Sequence, residues 1–523
     1  MCASRLRPGR GPTTGARARL RAAILGLRTR GSCAAAFALA PAPAPEPVEV
    51  VGDEAIEPSA VGPLDDGATL PGTRSVRIAR IDVIGNDQVP ARIILDPLQD
   101  ETLVADAALL WPEDPRVERA RQRLLATGNF ERVTLKIRPL VGDPASVVLI
   151  VAVEERSSIN VTDLYLGSSR MTAFRGGLQV RETNFLGRSI HIGGGFIWGT
   201  RPAEIPNSRR QQGGRFFIEA PRIEGANFGL VGSFYMISAS EAYRVAGELD
   251  DPAPALHRTV DYSRIGGTLG VTIPLLSNLS IGADYGFERV NAFLPDDPVY
   301  AGPEGPEPVD LSLLSGVRRL TSAHLRMVWD GRDRALEVGK GGRFALDVQL
   351  SSPLIGSEYE FIKIVAGGSY TFRLPWRHWI TPSIVAGQIA GRAPRFERFY
   401  AGDLQDWTPG RELGLIYSTR SPFDVFGTGV DRVVLGDTFG RIDIEYVWPL
   451  FTGSRVRGIK GGHLFLSTGV FTIAGSAAEK ALRRDADLPV FPAGFNANLG
   501  LRLDTVIGTF DLSVGNVLRR LPL

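Results

Sequence analysis

Cysteine is nearly absent from this 523-residue chain: the two, Cys2 and Cys33, both lie near the N-terminus. The remainder therefore has no disulfide, no thiolate nucleophile and no cysteine-based metal site. No run of eighteen or more apolar residues occurs, so any membrane crossing must be made by strands rather than helices. A formal net charge of +2 with scattered arginines argues against a dedicated nucleic-acid binder. Histidine is scarce as well. The five (His191, His257, His324, His378 and His463) are far apart, and none forms a His-x-x-x-His pair. No Gly-x-Ser-x-Gly elbow and no phosphate-binding loop is found. His324 alternates onto the same polar face as Arg326, which suits a solvated wall residue better than a catalyst. No catalytic residue, cofactor or metal ligand is expected.

Glycine, by contrast, is abundant, at 60 residues, and apolar and polar residues alternate strictly from about Asn160 onward. In Thr438 to Trp448, Ile442, Ile444, Tyr446 and Trp448 share one face, and Arg441, Asp443 and Glu445 the other. Side chains in a strand point alternately to its two faces, so one face suits an apolar medium and the other water. The split recurs in Ile265, Leu269, Val271 and Ile273 against Arg264, Thr268 and Thr272. It returns in Ala283, Tyr285 and Phe287 against Asp284 and Glu288. Soluble sandwiches alternate too. Many such segments in succession, with glycine on the polar side and aromatics at strand ends, point to a transmembrane β-barrel. The predicted fold is mainly β: residues 157–523 form a C-terminal antiparallel barrel of about sixteen strands, preceded by one small α+β domain.

The N-terminal side is organised differently. Arg5, Arg7, Arg10, Arg17, Arg19, Arg21, Arg28 and Arg30 precede a short apolar run, Ala34 to Ala40, and Ala38-Leu39-Ala40 has the small-x-small form of a signal-peptidase site. Residues 1–40 are predicted as an export leader, with Pro41 an unfavourable neighbour for cleavage, and the Pro-rich residues 41–73 as a linker. Residues 74–156 read as the α+β module. Val76 to Ile84 suggest a strand ended by Gly85-Asn86. Val117 to Ala126 suggest a helix stopped by Gly128. Phe130 to Ile137 and Val147 to Val153 suggest two more strands.

The module's segments Ile81 to Asn86, Leu124 to Val133 and Val151 to Arg156 resemble a POTRA domain. The resemblance rests on Gly85, Gly128, Phe130 and Val133 within those segments. Directly after it, Thr183 to Arg188 is similar to the Asn-x-x-Gly-Arg turn after the second barrel strand of the BamA/TamA superfamily of outer-membrane assembly factors. Glu219-Ala220-Pro221 resembles the Pro-ended fourth strand of those barrels, and Trp329 to Asp333 resembles their Asp-x-Arg-Asp turn. The resemblance implies an outer-membrane barrel that folds and inserts other β-barrels, with its POTRA domain in the periplasm. Implied partners are unfolded outer-membrane clients, periplasmic or lipoprotein accessory proteins and outer-membrane lipid, with no cofactor. A secretion pore for one partner protein, a lipid-directed assembly factor and a passive channel are the rival readings.

In that superfamily a long loop between the eleventh and twelfth strands folds back into the lumen and ends in an arginine-bearing tip. Phe399, Gly402 and Asp403 resemble the motif that opens this loop, and Pro409 to Glu412 sits at the tip's place, with glycine before Arg411 rather than after it. The resemblance pairs Arg411 with Glu445. Asp443 is the substitute partner, because Ser467 stands where the superfamily commonly has aspartate. Without the resemblance, Arg411, Glu445 and Asp443 read as ordinary solvated lumen charges with no common partner. The seam is expected between Val161 to Gly167, including Tyr165, and the last strand, with Phe510, Leu512 and Val514. Gly515, Asn516 and Pro522 make that last strand a poor sheet former, so the closing count near sixteen is the irregular part of the pattern.

Overall fold

The computed structural model describes residues 74–521 apart from several connecting segments, the longest being 401–410 and 417–434. The leader and linker predicted over 1–73 lie outside the described residues. The α+β domain runs β1 (Arg74–Ile84), α1 (Ala91–Asp100), β2 (Ala108–Trp111), α2 (Pro115–Ala126), β3 (Phe130–Leu140) and β4 (Asp143–Glu155). Its four strands form a mixed sheet in the order β2-β1-β4-β3, with β1 and β4 parallel. The helices cover one face, burying Ile94, Leu98, Ala120 and Leu124 against Ile78, Phe130, Leu149 and Val151. Gly85 follows β1 with φ +88°, and a side chain there would overlap the Val153 carbonyl, so glycine is required where that strand turns. Asp114 caps α2 through the Arg116 backbone N–H and also pairs with the Arg116 guanidinium.

Helix α1 and strand β2 are additions to the β-α-β-β order expected from the sequence. Pro97 sits inside α1, where proline normally breaks a helix. Complete burial of Ile94 and Leu98 shows tertiary packing outweighing local propensity. Helix α2 ends with Thr127 as its C-cap, while Gly128 lies outside the described residues.

Three residues, 156–158, lead into the barrel sheet. Its strands are β5 (Ile159–Gly167), β6 (Arg175–Phe185), β7 (Ile190–Gly199), β8 (Gln212–Ala220), β9 (Gly229–Arg244), β10 (His257–Leu276), β11 (Leu279–Phe293) and β12 (Gly316–Asp330). There follow β13 (Gly341–Ser351), β14 (Glu360–Arg373), β15 (Trp379–Arg392), β16 (Thr438–Thr452), β17 (Ile459–Ala474), β18 (Ala493–Thr505) and β19 (Gly508–Leu521). They make one fifteen-stranded meander in sequence order.

The predicted two-faced pattern is realised. Leu269 is 71% exposed and Ile442 59%, on the outside, whereas Arg264 is 7% and Glu288 3% exposed, on the inside. Exposed apolar strands with buried charges invert the soluble pattern, as a barrel in lipid requires. Trp329 and Trp448 lie at the ends of β12 and β16, and Trp376 projects from the turn before β15. Tryptophan at this height suits a membrane–water boundary. The same end, called the near end below, faces the α+β domain. Asp100 on α1 accepts from Arg222 after β8 at 2.6 Å, and Asn129 donates to Ser189 before β7 at 2.6 Å.

Candidate functional site: lumen and seam

Alternation directs one row of each strand into the lumen, and register decides which rows meet. Tyr235, Gly266 and Glu288 are cross-strand neighbours on β9, β10 and β11. The glycine leaves room for Tyr235 to donate across β10 to Glu288 at 2.7 Å. Arg264, one inward position away, forms a two-pronged pair with the same carboxylate, Nη2 donating to Oε2 at 2.8 Å. A buried guanidinium needs such a matched fork, because an unpaired charge there would be strongly destabilising.

The connection after β15 reaches this network from across the barrel. Gly391, with φ +101°, bends the strand end at a place where a side chain would meet the Glu360 carbonyl. Residues 393–399 then run inward. Arg395 donates to Glu241 on β9 at 2.7 Å, and Tyr262 donates to the other Glu241 oxygen at 2.5 Å. Phe396 stacks under Arg264, with 3.8 Å from guanidinium carbon to ring centroid. Lys363 on β14 donates to the Glu397 carbonyl at 2.9 Å, and Arg398 donates to Asp437 at 2.8 Å. β10 lies five strands from β15 and β9 six, so these contacts cross the lumen. Phe399 packs on Phe439 at 4.4 Å between centroids. Together with Ile237, Val290 and Ile389, these rings form an apolar core inside the barrel, toward the far end.

The predicted lock residues are placed as follows. Glu445 on β16 stands directly opposite the buried Ser467 on β17. The Arg502 guanidinium on β18 lies 3.5 Å from Glu445, a partner the sequence reading missed. Asp443 pairs with Arg441. Arg411 and Glu412 form a short hairpin with Leu415 and Ile416, and the second of these strands lies against β9. The Arg411 side chain, Gly402 and Asp403 lie outside the described residues, so the predicted Arg411–Glu445 pair falls there too. Phe399 alone of the loop motif is placed. Arg395, Phe396, Glu397 and Arg398 were also missed. Their one sequence signal is the loss of alternation just before Phe399.

The seam is the other distinctive feature. All fourteen ladders of the barrel sheet are antiparallel. An odd number of strands leaves β5 and β19 running in the same direction. The two edges come together, yet among the described residues no ladder joins them. Val161 and Tyr165 belong to β5. Phe510, Leu512 and Val514 belong to β19, paired on its other side with Leu503, Leu501 and Leu499 of β18.

Residues 184–520 match the Omp85 superfamily domain. The chain belongs to the Omp85 superfamily. As a member it is an outer-membrane β-barrel protein. Similar solved structures include CdiB from Escherichia coli, with a TM-score of 0.54 and 13% identity over 85% of this chain and 73% of that one. CdiB from Acinetobacter baumannii has a TM-score of 0.49 and 12% identity over 85% and 71% of the two chains. The crystal structure of BamA from Haemophilus ducreyi lacking POTRA domains 1–3 gives 0.47 and 14% over 85% and 82%. At these identities the first likeness shows the Omp85 fold alone. No curated protein matches the chain by sequence.

Proposed function

We propose that this Omp85 protein folds and inserts other β-barrel proteins into the outer membrane, using the β5–β19 seam as the insertion edge. The unladdered seam is the observation that supports this reading. Unpaired backbone N–H and C=O groups on an edge strand recruit another strand. Because β5 and β19 run the same way, a client strand running oppositely pairs antiparallel with either edge. One such strand between them brings the sheet from fifteen to an even count, the usual condition for a bacterial barrel. The POTRA-like domain lies in the periplasm and receives unfolded clients, with periplasmic or lipoprotein accessory partners assisting. The chemistry is strand exchange, so no catalytic residue or cofactor is required.

Secretion of a partner protein is the second reading, favoured by a cavity at the near end of the lumen lined by Thr272, Ser280 and Val328. The chord of residues 393–399 counts against a standing channel, since Arg395 is tied to Glu241 on β9 and Phe396 and Phe399 are buried in the apolar core inside the barrel. Cysteines placed at Tyr165 and Ser513, shifted if needed to match register, test the proposal. Oxidation should stop accumulation of other outer-membrane barrels in cells depleted of the native protein, with the barrel still heat-modifiable on gels. Normal assembly by a fully cross-linked barrel would refute it, and loss of a single exported protein would favour secretion.

A further inference from the structure

The near-end cavity, of about 700 Å³, extends from Phe396 to Thr272, Ser280 and Val328 close to the strand ends. Most of its cations are matched at short range. Arg264 pairs with Glu288, Arg326 lies 3.2 Å from Asp284 and 2.8 Å from Asp347, and Lys363 lies 3.2 Å from Glu397. Arg181 and Arg215 differ. Their guanidinium carbons lie 5.2 and 5.8 Å from the centre of the Phe217 ring. Arg215 donates to the neutral Gln179 amide oxygen at 2.8 Å. Arg181 comes within only 3.6 Å of Glu219, beyond hydrogen-bond length, and its Nε is buried without a hydrogen-bond partner. Beside them His191 is 7% exposed, with Nδ1 3.7 Å from the Glu219 carboxylate and neither ring nitrogen within hydrogen-bond length of a partner.

The arrangement is built by register. Arg181, Gly193 and Phe217 are cross-strand neighbours on β6, β7 and β8. A Cβ at position 193 would overlap the Phe217 ring, so glycine at that place lets the ring lie along the wall beneath both guanidiniums. Cation–π contact holds each guanidinium in place while leaving its N–H donors available. Guanidinium donors fork onto carboxylates, and a low-dielectric ring behind them strengthens that pairing.

We propose that Arg181, Phe217 and Arg215 form a binding site for an extended acidic polypeptide segment, one carboxylate on each arginine. Same-face residues of an extended chain repeat about every 7 Å, so acids at alternate positions suit two guanidiniums that lie 5.2 and 5.8 Å from the centre of one ring. Polypeptide is favoured over lipid phosphate because the wall stands between the site and the bilayer. On its outer side Phe196, Phe216 and Ile218 are exposed. Glu219, 3.6 Å from Arg181, competes with the ligand carboxylate for that guanidinium. This inference rests on the proposed handling of polypeptides by the barrel and deepens it by naming the chemistry of the passing segment.

The test uses full-length protein in detergent micelles at low salt and a dye-labelled decapeptide with aspartate at alternate positions, followed by anisotropy. An asparagine version of the peptide, inorganic phosphate and phosphatidylglycerol vesicles are the comparison ligands. The aspartate peptide should bind, the asparagine peptide should not, and Arg181→Gln with Arg215→Gln should weaken binding at least tenfold. Arg215→Gln alone, which removes only the contacts to Gln179 and the Phe217 ring, should weaken it severalfold and covers the case in which the double variant misfolds. Unchanged peptide binding by both variants overturns the site. Displacement of the peptide by phosphate or vesicles at equal charge overturns the polypeptide assignment. Lost peptide binding with normal barrel assembly confirms the site as separate from the seam, whereas failed assembly in the cross-linking test with intact peptide binding leaves the site standing.

Discussion

Replacing Arg395 by alanine removes the cation from a carboxylate that is only 1% exposed. Glu241 would keep the Tyr262 hydroxyl at 2.5 Å but lose its charge partner at 2.7 Å. Breaking a buried pair from one side costs about 3–5 kcal/mol, because the remaining charge is stranded. Tyr262 offsets part of that, so the expected loss is about 2–4 kcal/mol. Removing both partners, as in Arg395→Ala with Glu241→Ala, should cost less than the two single losses added. The coupling should be roughly 1–3 kcal/mol, as for residues in one ion-pair network. The assay is urea unfolding of the refolded barrel in vesicles, followed by tryptophan fluorescence and by heat-modifiability. Planar-bilayer conductance supplies a second readout, since freeing residues 393–399 from β9 should raise the open fraction. An Arg395→Ala barrel within about 0.5 kcal/mol of the parent, or fully additive losses, would refute the claim that this pair ties the loop across the lumen.

Three further outcomes are expected. The Asp114 carboxyl is held well below the usual carboxylate range, chiefly by its hydrogen bond to the Arg116 side chain. A depressed folded-state pKa gives stability that is present above the unfolded value near ~4 and is lost as pH falls toward the folded one. Hydrogen exchange of α2 should therefore quicken as pH falls below about 4, after correction for intrinsic rates, and Asp114→Asn should flatten that dependence. Proteolysis near Arg156 should leave a heat-modifiable barrel with a β-type circular dichroism spectrum, because residues 156–158 connect two separately cored structures; a helix-rich or collapsing remnant would contradict this. If Arg411 and Glu445 share one interaction, Arg411→Ala and Glu445→Ala should each lower assembly activity and the double variant should be no worse than either, whereas additive losses mean that they act apart.

The barrel was legible because its signal is local. Alternation along Thr438 to Trp448 states which residues face lipid before any pairing is known, and Ile442 and Asp443 do lie on opposite faces. Gly85 was legible for the same reason, since a turn with positive φ announces its residue. Helix α1 was not, because Pro97 argues against it locally and only the burial of Ile94 and Leu98 reverses the balance. The lumen network was least visible. Arg395 and Glu241 are 154 residues apart, and nothing near either residue marks the other. The Arg181–Phe217–Arg215 group depends on register, which a one-residue slip would destroy. The sequence by itself determined that this chain is a barrel with a small α+β domain before it, because side-chain period follows from backbone geometry alone. Only the tertiary structure decided which charges meet inside and which two edges lack a ladder, because those depend on how distant strands are brought side by side.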